Sequence, residues 1–326
     1  MTKKINIGVI GYAAIAERYV IPTIIELNGL FNLTGVASRS PTTANEFSLR
    51  FNKKGVVGYE TLLEDESLDA VYIPLPNSLH AEWIEKALAR NLHVLVEKSM
   101  ACNSETVEKL NLYAKSKQLI LIENFQFRFH RQLSFIKQVV LEGKIGDLRC
   151  LRSSFGFPPF SDKNNIRYQK ELGGGALLDA GAYTIKIAQE FLGTKLSVEA
   201  ADMLIDESLG VDIAGGAFLK QRDGNLFSEI AYGFDHFYQC NLELWGSKGK
   251  IYTNRIFTAP PGFATEVVLE TNTGKEMINL PPDHHFKNML IHFYNMILSK
   301  IGMEEEYNQN INQSRLLAEL KTKANE

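Results

Sequence analysis

The chain has 326 residues, of which 45% are hydrophobic and 22% charged, with a formal net charge of -3. That length and composition suit a folded protein of two domains. The charge balance argues against a general nucleic-acid binder, which needs a basic face, and no apolar run approaches the ~18–20 residues of a membrane span.

Cys102, Cys150 and Cys240 stand far apart with no C-x-x-C pair, so neither a zinc knuckle nor a disulfide framework is suggested, and a reduced, cytoplasmic protein fits. His284, His285 and His292 lack the H-E-x-x-H pattern and read as a helix start and an interface face, with no metal implied. The opening "MTKKINIGVIGYAAIAERY" mimics a signal peptide until Glu17 and Arg18 cut the apolar stretch short.

In chain order the first 125 residues alternate strand and helix. "KINIGVIG" (4–11) is an apolar strand ending in glycine. "AIAERYVIPTIIEL" (14–27) has helical spacing that Pro22 must kink or divide. "FNLTGVASR" (31–39) is a strand, and "SPTTANEFSLRFN" (40–52) opens with Ser-Pro, a helix-start signal. "GVVGY" (55–59) and "LDAVYIPLP" (68–76) are strand-like. "SLHAEWIEKALARN" (78–91) is an amphipathic helix with the apolar stripe Leu79, Trp83, Ile84, Ala87 and Leu88. Strand "HVLVEK" (93–98), helix 104–118 and strand "LILIENF" (119–125) follow. This alternation predicts an α/β fold with a doubly wound parallel sheet, a Rossmann arrangement over residues 1–123. Such sheets bind ligands beyond the carboxyl ends of their strands, which is where Glu97 and Lys98 fall.

Gly11-Tyr12-Ala13-Ala14-Ile15-Ala16, between a strand and a helix, is a G-x-G-x-x-[GA] turn with Ala13 at the middle glycine position. Gly11 permits a tight turn and Ala16 a close helix, so Gly11, Tyr12, Ala13, Ala14 and Ile15 become candidates to hold a pyrophosphate. The alternative is an ordinary strand-to-helix turn. After the second strand come Ser38, Arg39 and Ser40, with no acid to hold a ribose diol. A guanidinium between hydroxyls suits a 2′-phosphate, which predicts NADP in preference to NAD, against the alternative of a solvated surface arginine.

From about residue 148 the pattern changes to eight strand-like runs joined by "RDGN", "GSKGK" and "TNTGK" turns, a second α+β domain over 124–326 with an open, mostly antiparallel sheet. In "SEIAYGFDHFY", Ile230, Tyr232, Phe234 and Tyr238 share one face, with Ala231 and Phe237 on the other. One face would pack on helices and the other would meet another subunit. "FPPFSDKNN" (157–165) and "TAPPGF" (258–263) read as long loops able to reach over a site. Within "ELGGGALLDAGAYTIKIAQEFLG" (171–193) three glycines lead into a helix on which Asp179 and Tyr183, four apart, share a face. A carboxylate among Ala, Leu and Gly needs a partner or a substrate; the plainer alternative is a helix whose Asp and Tyr bond nearby backbone. Arg128 could face a cofactor or pair with an acid, Trp83 and Trp245 are assigned to the core, and the tail 307–326 is read as a surface helix that frays.

"GVIGYAAIA", "PNSLHAEW", "VEKSMACN", "GKIGDLRCLRSSFGF" and "GGGALLDAGAY", in that order over nearly the whole chain, resemble the Gfo/Idh/MocA family of sugar-type oxidoreductases. The resemblance implies a dinucleotide fold followed by an open α/β domain, a nicotinamide cofactor, a polyol, sugar or ketose substrate, and a homodimer or homotetramer built through the C-terminal sheet. It implies that Lys98 is the catalytic lysine, that Asp179 binds substrate, and that Tyr183 stands where many members have histidine and some have tyrosine. It also implies that the segment of Leu75, Pro76, Asn77 and His80 lines the nicotinamide side. Ser99 replaces the family's proline, so Lys98 is expected to be held less rigidly, and Ala13 replaces a glycine. "FPPFSDKNNIRYQKELGGGALLDAGAY" with "CNLELWGSKGKIYTNRIFTAPPGF" further resembles the NADP-dependent nucleotide-sugar 3-ketoreductases, in which Arg167 would contact the substrate's diphosphate side.

The expected chemistry is hydride transfer between nicotinamide and a sugar carbonyl or alcohol, with Tyr183 and Lys98 converging on one carbonyl. A phenol of reference pKa about 10 becomes a usable acid beside an ammonium, so Tyr183 would protonate the oxygen while Lys98 polarises it; the roles could be exchanged. Two alternatives stand: an NADP-dependent dehydrogenase of a free sugar, inositol or dihydrodiol, and a non-catalytic NADP-binding sensor.

Overall fold

The computed structural model describes residues 3–326. By their contacts these form two units, one running to Asn124 and taking in Phe286–Ile311, the other made of Phe125–His285 and Asn312–Glu326. A single boundary after residue 123 was expected from the sequence; the structure returns a stretch of the C-terminal region to the first unit.

The first unit contains β1 (Ile5–Ile10), a π-turn at Ala16–Val20 leading into α1 (Ile21–Glu26), β2 (Phe31–Ser38), α2 (Pro41–Phe51), β3 (Gly55–Val57), α3 (Tyr59–Leu63), β4 (Ala70–Ile73), α4 (Asn77–Ala89), β5 (His93–Glu97), α5 (Ser104–Ser116) and β6 (Leu121–Asn124). The six strands lie in the order β3-β2-β1-β4-β5-β6, every pairing parallel. β4, "AVYI", is buried throughout, as a strand covered on both faces must be. Pro22 sits in the first turn of α1, directly after the irregular π segment, so the helical run is divided where the proline falls. Residues of the C-terminal region join this unit through specific bonds: Tyr294 Oη donates to Lys3 O at 2.8 Å, Asn310 Nδ2 donates to Leu121 O at 3.0 Å, and the Phe286 ring stacks on Tyr19 with centroids 4.8 Å apart.

The second unit contains α6 (Arg131–Leu141), β7 (Leu148–Gly156), a π-turn at Leu177–Gly181 leading into α7 (Ala182–Leu192), and β8 (Leu196–Asp206), β9 (Val211–Gln221), β10 (Phe227–Gly233), β11 (Gln239–Gly246), β12 (Gly249–Thr253), β13 (Glu266–Thr271) and β14 (Gly274–Asn279). The chain closes with α8 (His285–Ser299) and α9 (Met303–Lys323), which carry it into the first unit and back. The eight strands lie in the order β14-β13-β12-β11-β7-β10-β9-β8, antiparallel except for β7 beside β10. α7 packs against β7 and β10 at the centre of the sheet. The core there is rich in aromatic rings, among them Phe125, Phe127, Phe155, Tyr183 and Phe257.

Two expectations are corrected. Trp245 is 40% exposed, because Leu242 and Leu244 of β11 point inward and the period of two turns Trp245 to the open face, under the Arg152 guanidinium at 5.2 Å. The tail is no fraying surface helix: in α9 Tyr307, Asn310, Gln313, Leu316, Leu317 and Leu320 are buried.

Candidate active site

All strands of the first sheet end at one edge, and its winding reverses between β1 and β4, where open parallel sheets bind ligands. Gly11 takes up the turn after β1 with φ at +113°, and a Cβ there would lie 2.7 Å from Leu75 Cδ2. The positive φ is what favours glycine here, and a larger residue would also have to push the Leu75 side chain aside. Ala13 is half-buried and Ala14 exposed; Ile15 is half-buried, and the buried Ala16 brings the helix close to the sheet. Tyr12 is engaged elsewhere: its hydroxyl donates to Glu17 Oε1 at 3.0 Å, and burial pushes the phenol up to about 12. Glu17 also pairs with Arg50.

At the end of β2 the hydroxyls shape the backbone. Ser38 Oγ accepts from Ser40 N–H at 3.2 Å, and Ser40 Oγ accepts from Thr43 N–H at 3.3 Å as the N-cap of α2. Arg39, between them, is exposed.

The loops after β4 and β5 are tied together. His80 is fully buried, with Nε2 2.7 Å from Leu75 O and Nδ1 2.8 Å from Ser99 O. Burial, reinforced by the charge of Lys98, outweighs the two carbonyls and pushes the imidazole down to about 4. The neutral ring has one N–H to give, so it donates to one of these carbonyls at a time. Asn77 Oδ1 accepts from Ser99 N–H at 3.1 Å, and Glu123 Oε1 from Met100 N–H at 2.8 Å. Pro76 O accepts from Leu79 N–H at 2.9 Å. Glu97 Oε1 receives the Tyr72 hydroxyl and the Asn124 amide, each at 2.7 Å; burial raises this carboxyl's pKa while those donors and Lys98 oppose it. Lys98 is half-buried at the carboxyl end of β5, and the peptide joining it to Ser99 is cis.

In the second unit the glycine run has a physical reason. Gly175 has φ at +110°, and a Cβ on it would collide with Asp212 Oδ1. Asp212 Oδ2 accepts from Leu177 N–H at 2.5 Å, fixing the start of the helical segment that carries Asp179; burial raises the Asp212 pKa. Asp179 Oδ2 accepts from Arg167 Nε at 2.5 Å, and the guanidinium lies over the Phe160 ring at 4.8 Å. Tyr183, only 6% exposed, meets the Gln126 side-chain amide, with both its nitrogen and its oxygen 3.2 Å from the hydroxyl. The rings of Phe125, Phe127, Phe155 and Phe257 surround it at 5.3 to 5.8 Å. Arg128 pairs with Glu190 at 3.2 Å, so it meets an acid.

Within the first unit, then, the structure gathers Leu75, Asn77, His80, Glu97 and Lys98 at neighbouring strand ends, and within the second it joins Arg167 to Asp179, one turn before Tyr183. Gln126, Glu123 and Asp212 were not singled out from sequence. Gln126 carried a signal, a lone amide between Phe125 and Phe127 directly after a strand.

This sheet order, the glycine turn after β1, and a phenol and carboxylate on one helix of a second sheet domain define a dinucleotide-dependent oxidoreductase. The chain belongs to the GFO/IDH/MocA family: the model for the oxidoreductase family's NAD-binding Rossmann fold matches residues 5–125, and the family's C-terminal domain matches 134–252. It is 37% identical to the dTDP-3,4-didehydro-2,6-dideoxy-alpha-D-glucose 3-reductase of Saccharopolyspora spinosa, over 94% of this chain and 91% of the relative. It is also 37% identical to the reductase of the same name from Actinomadura kijaniata, over 98% and 96%. The crystal structure of a 3-ketoreductase from Actinomadura kijaniata in complex with NADP and TDP-benzene matches with a TM-score of 0.93 at 36% identity, covering 98% of each chain. None of the described helices is long and apolar enough to cross a membrane.

Proposed function

We propose that the protein reduces a keto group on a nucleotide-linked deoxysugar with NADPH, as a 3-ketoreductase. The observation that carries this reading is the Arg167–Asp179–Tyr183 group, which assembles within one unit a cation suited to phosphate, a carboxylate suited to a sugar hydroxyl, and a phenol able to give a proton. The similarity to two 3-reductases of a dTDP-linked didehydro-dideoxyglucose supports it.

NADPH supplies the hydride when bound. The turn at Gly11, Tyr12, Ala13, Ala14 and Ile15 holds its pyrophosphate by backbone, since the Tyr12 hydroxyl is spent on Glu17. Arg39 takes the 2′-phosphate, with Ser38 and Ser40 shaping the turn that presents it. Leu75, Pro76, Asn77, His80 and Glu97 form the nicotinamide side, His80 acting through the carbonyls it touches. Tyr183 gives its proton to the carbonyl oxygen, and Lys98 offsets the negative charge that develops there. Asp179 receives a substrate hydroxyl. Arg167 commits Nε to Asp179 and offers its terminal amino groups to the diphosphate.

The open face of the second sheet, with Trp245 40% and Leu204 61% exposed, is assigned to contact with another copy, giving a homodimer or homotetramer. The three cysteines, present as thiols, suit a reducing compartment, the cytoplasm.

The test is NADPH oxidation by the purified protein against dTDP-linked keto-deoxysugars and a panel of free sugars. Turnover confined to the nucleotide-linked ketones is expected. Turnover only of free sugars or diols with NADP would overturn the substrate assignment in favour of a dehydrogenase, and no turnover of either with intact NADPH binding would leave a sensor. Lys98→Ala and Tyr183→Phe should each keep NADPH binding and lose about 10²–10⁴-fold in kcat.

A further inference from the structure

A proline at position 99 would have no N–H; Ser99 has one, and it is buried with the rest of the residue at 1% exposure. A buried N–H must find an acceptor. Here the acceptor is Asn77 Oδ1 at 3.1 Å. One turn further along α4, His80 Nδ1 stands 2.8 Å from the carbonyl of the same residue. Asn77 and His80 are three apart on one helix, so a single helical turn meets both polar groups of the Ser99 backbone, the N–H through an amide oxygen and the carbonyl through an imidazole whose one proton is shared with Leu75 O. Glu123, on β6, takes the next N–H at Met100. The residue directly before this fastened stretch is Lys98.

We propose that Asn77 is a positioning residue for Lys98: its side-chain oxygen stands in for the constraint that proline would impose at 99, and it does so by holding an N–H that exists because the residue there is not proline. Asn77 acts beside His80, whose ring lies between the carbonyls of Ser99 and Leu75 and bonds one of them at a time. The loop is thereby anchored to α4 and β6, and the ammonium of Lys98 leaves it from a defined backbone position. This goes beyond lining the nicotinamide side, because the bond runs to the lysine loop and exists in the protein alone.

The two roles of Asn77 separate in a double-mutant cycle. If the bond to Ser99 is what matters, Asn77→Ala strands a buried donor and lowers kcat about 10- to 100-fold. In a Ser99→Pro background there is no donor to strand, so the same replacement costs less than about 3-fold, and the two changes are strongly non-additive. If Asn77 matters only by touching the cofactor, Asn77→Ala raises KM for NADPH equally in both backgrounds and the cycle is additive; that result overturns the proposal.

A second readout requires neither cofactor nor turnover. Amide hydrogen exchange at Ser99 should be slow in the parent, faster by at least about tenfold in Asn77→Ala, and slow again in Asn77→Asp, which keeps an acceptor oxygen. Unchanged protection of Ser99 in Asn77→Ala overturns the proposal even if Ser99→Pro fails to fold. The inference rests on Lys98 being the catalytic cation, and the two failures are distinguishable: a Lys98→Ala protein with normal kcat sinks that role, whereas an additive cycle or an indifferent amide sinks this one.

Discussion

Arg167 Nε lies 2.5 Å from Asp179 Oδ2, so the carboxylate taken from the sequence for a substrate ligand first meets a protein cation. The pair is only partly shielded, with side-chain exposures of 35% for the arginine and 16% for the aspartate. Its purpose on the proposed reading is to orient both groups: the carboxylate toward a sugar hydroxyl and the remaining guanidinium nitrogens toward phosphate. Arg167→Met should raise KM for the nucleotide sugar about 10- to 100-fold, the range expected when a hydrogen bond to a charged group is lost. Arg167→Lys should recover little, since an ammonium cannot offer a planar fork to two anions. Initial rates over a range of nucleotide-sugar concentrations decide it; a KM within twofold of the parent would show that the pair is only structural.

The Tyr183 hydroxyl rests on the amide of Gln126 at 3.2 Å inside a wall of aromatic rings. An amide can both donate and accept, so it can serve the phenol before and after a proton leaves. Gln126→Leu should therefore lower kcat roughly tenfold, in line with one lost hydrogen bond, and leave NADPH affinity unchanged. The alkaline limb of the kcat–pH profile should move with it, because the stability of the phenolate changes. An unmoved profile with a normal kcat would show that Gln126 is only packing.

Arg39 is exposed on a turn whose two serine oxygens each accept a backbone N–H, and its guanidinium is the charged group there for a 2′-phosphate. Arg39→Ala should reduce kcat/KM for NADPH about 10- to 100-fold, the scale of one or more charge-assisted bonds. The value for NADH should stay within about threefold. Parallel assays with both cofactors check the ratio, and equal losses with the two would remove Arg39 from the phosphate site.

Much of this was legible because strong periodic signals coincide with buried faces. The alternation of apolar strands with stripes such as Trp83, Ile84, Ala87 and Leu88 announces the parallel sheet, and all four of those side chains are buried. The helix bearing Asp179 and Tyr183 is introduced by glycines that the structure requires, Gly175 being pressed against Asp212. What stayed hidden was carried by polar residues in unexpected surroundings. α9 reads as a surface helix because its buried side includes Asn310 and Gln313, yet these satisfy the carbonyls of Leu121 and Ala182 at 3.0 and 2.8 Å. No periodicity of apolar residues can reveal a helix seated by amides. Gln126 was missed for the same reason, and α3 because a five-residue helix has too few positions to show a period.

Acid should loosen the second unit through His285. This ring is 3% exposed, and burial pushes its pKa from 6.5 down to about 3, with His130 and His284 adding to the effect and Asp283 opposing it. His130, its ring 5.7 Å away, is shifted in the same direction by burial. Because the folded value lies below the unfolded one, the folded state refuses a proton that the unfolded chain accepts. Stability is thus undiminished above about 6.5 and falls as the pH drops from there toward 3. For His285 alone the loss is about 2 kcal/mol at a pH of about 5, from ~1.36 kcal/mol per unit. His285→Gln removes this titration, so the variant's melting temperature should fall several degrees less than the parent's between about pH 7.5 and 5, even if the variant starts lower. Equal declines in the two proteins would show that His285 takes up its proton without cost to the fold.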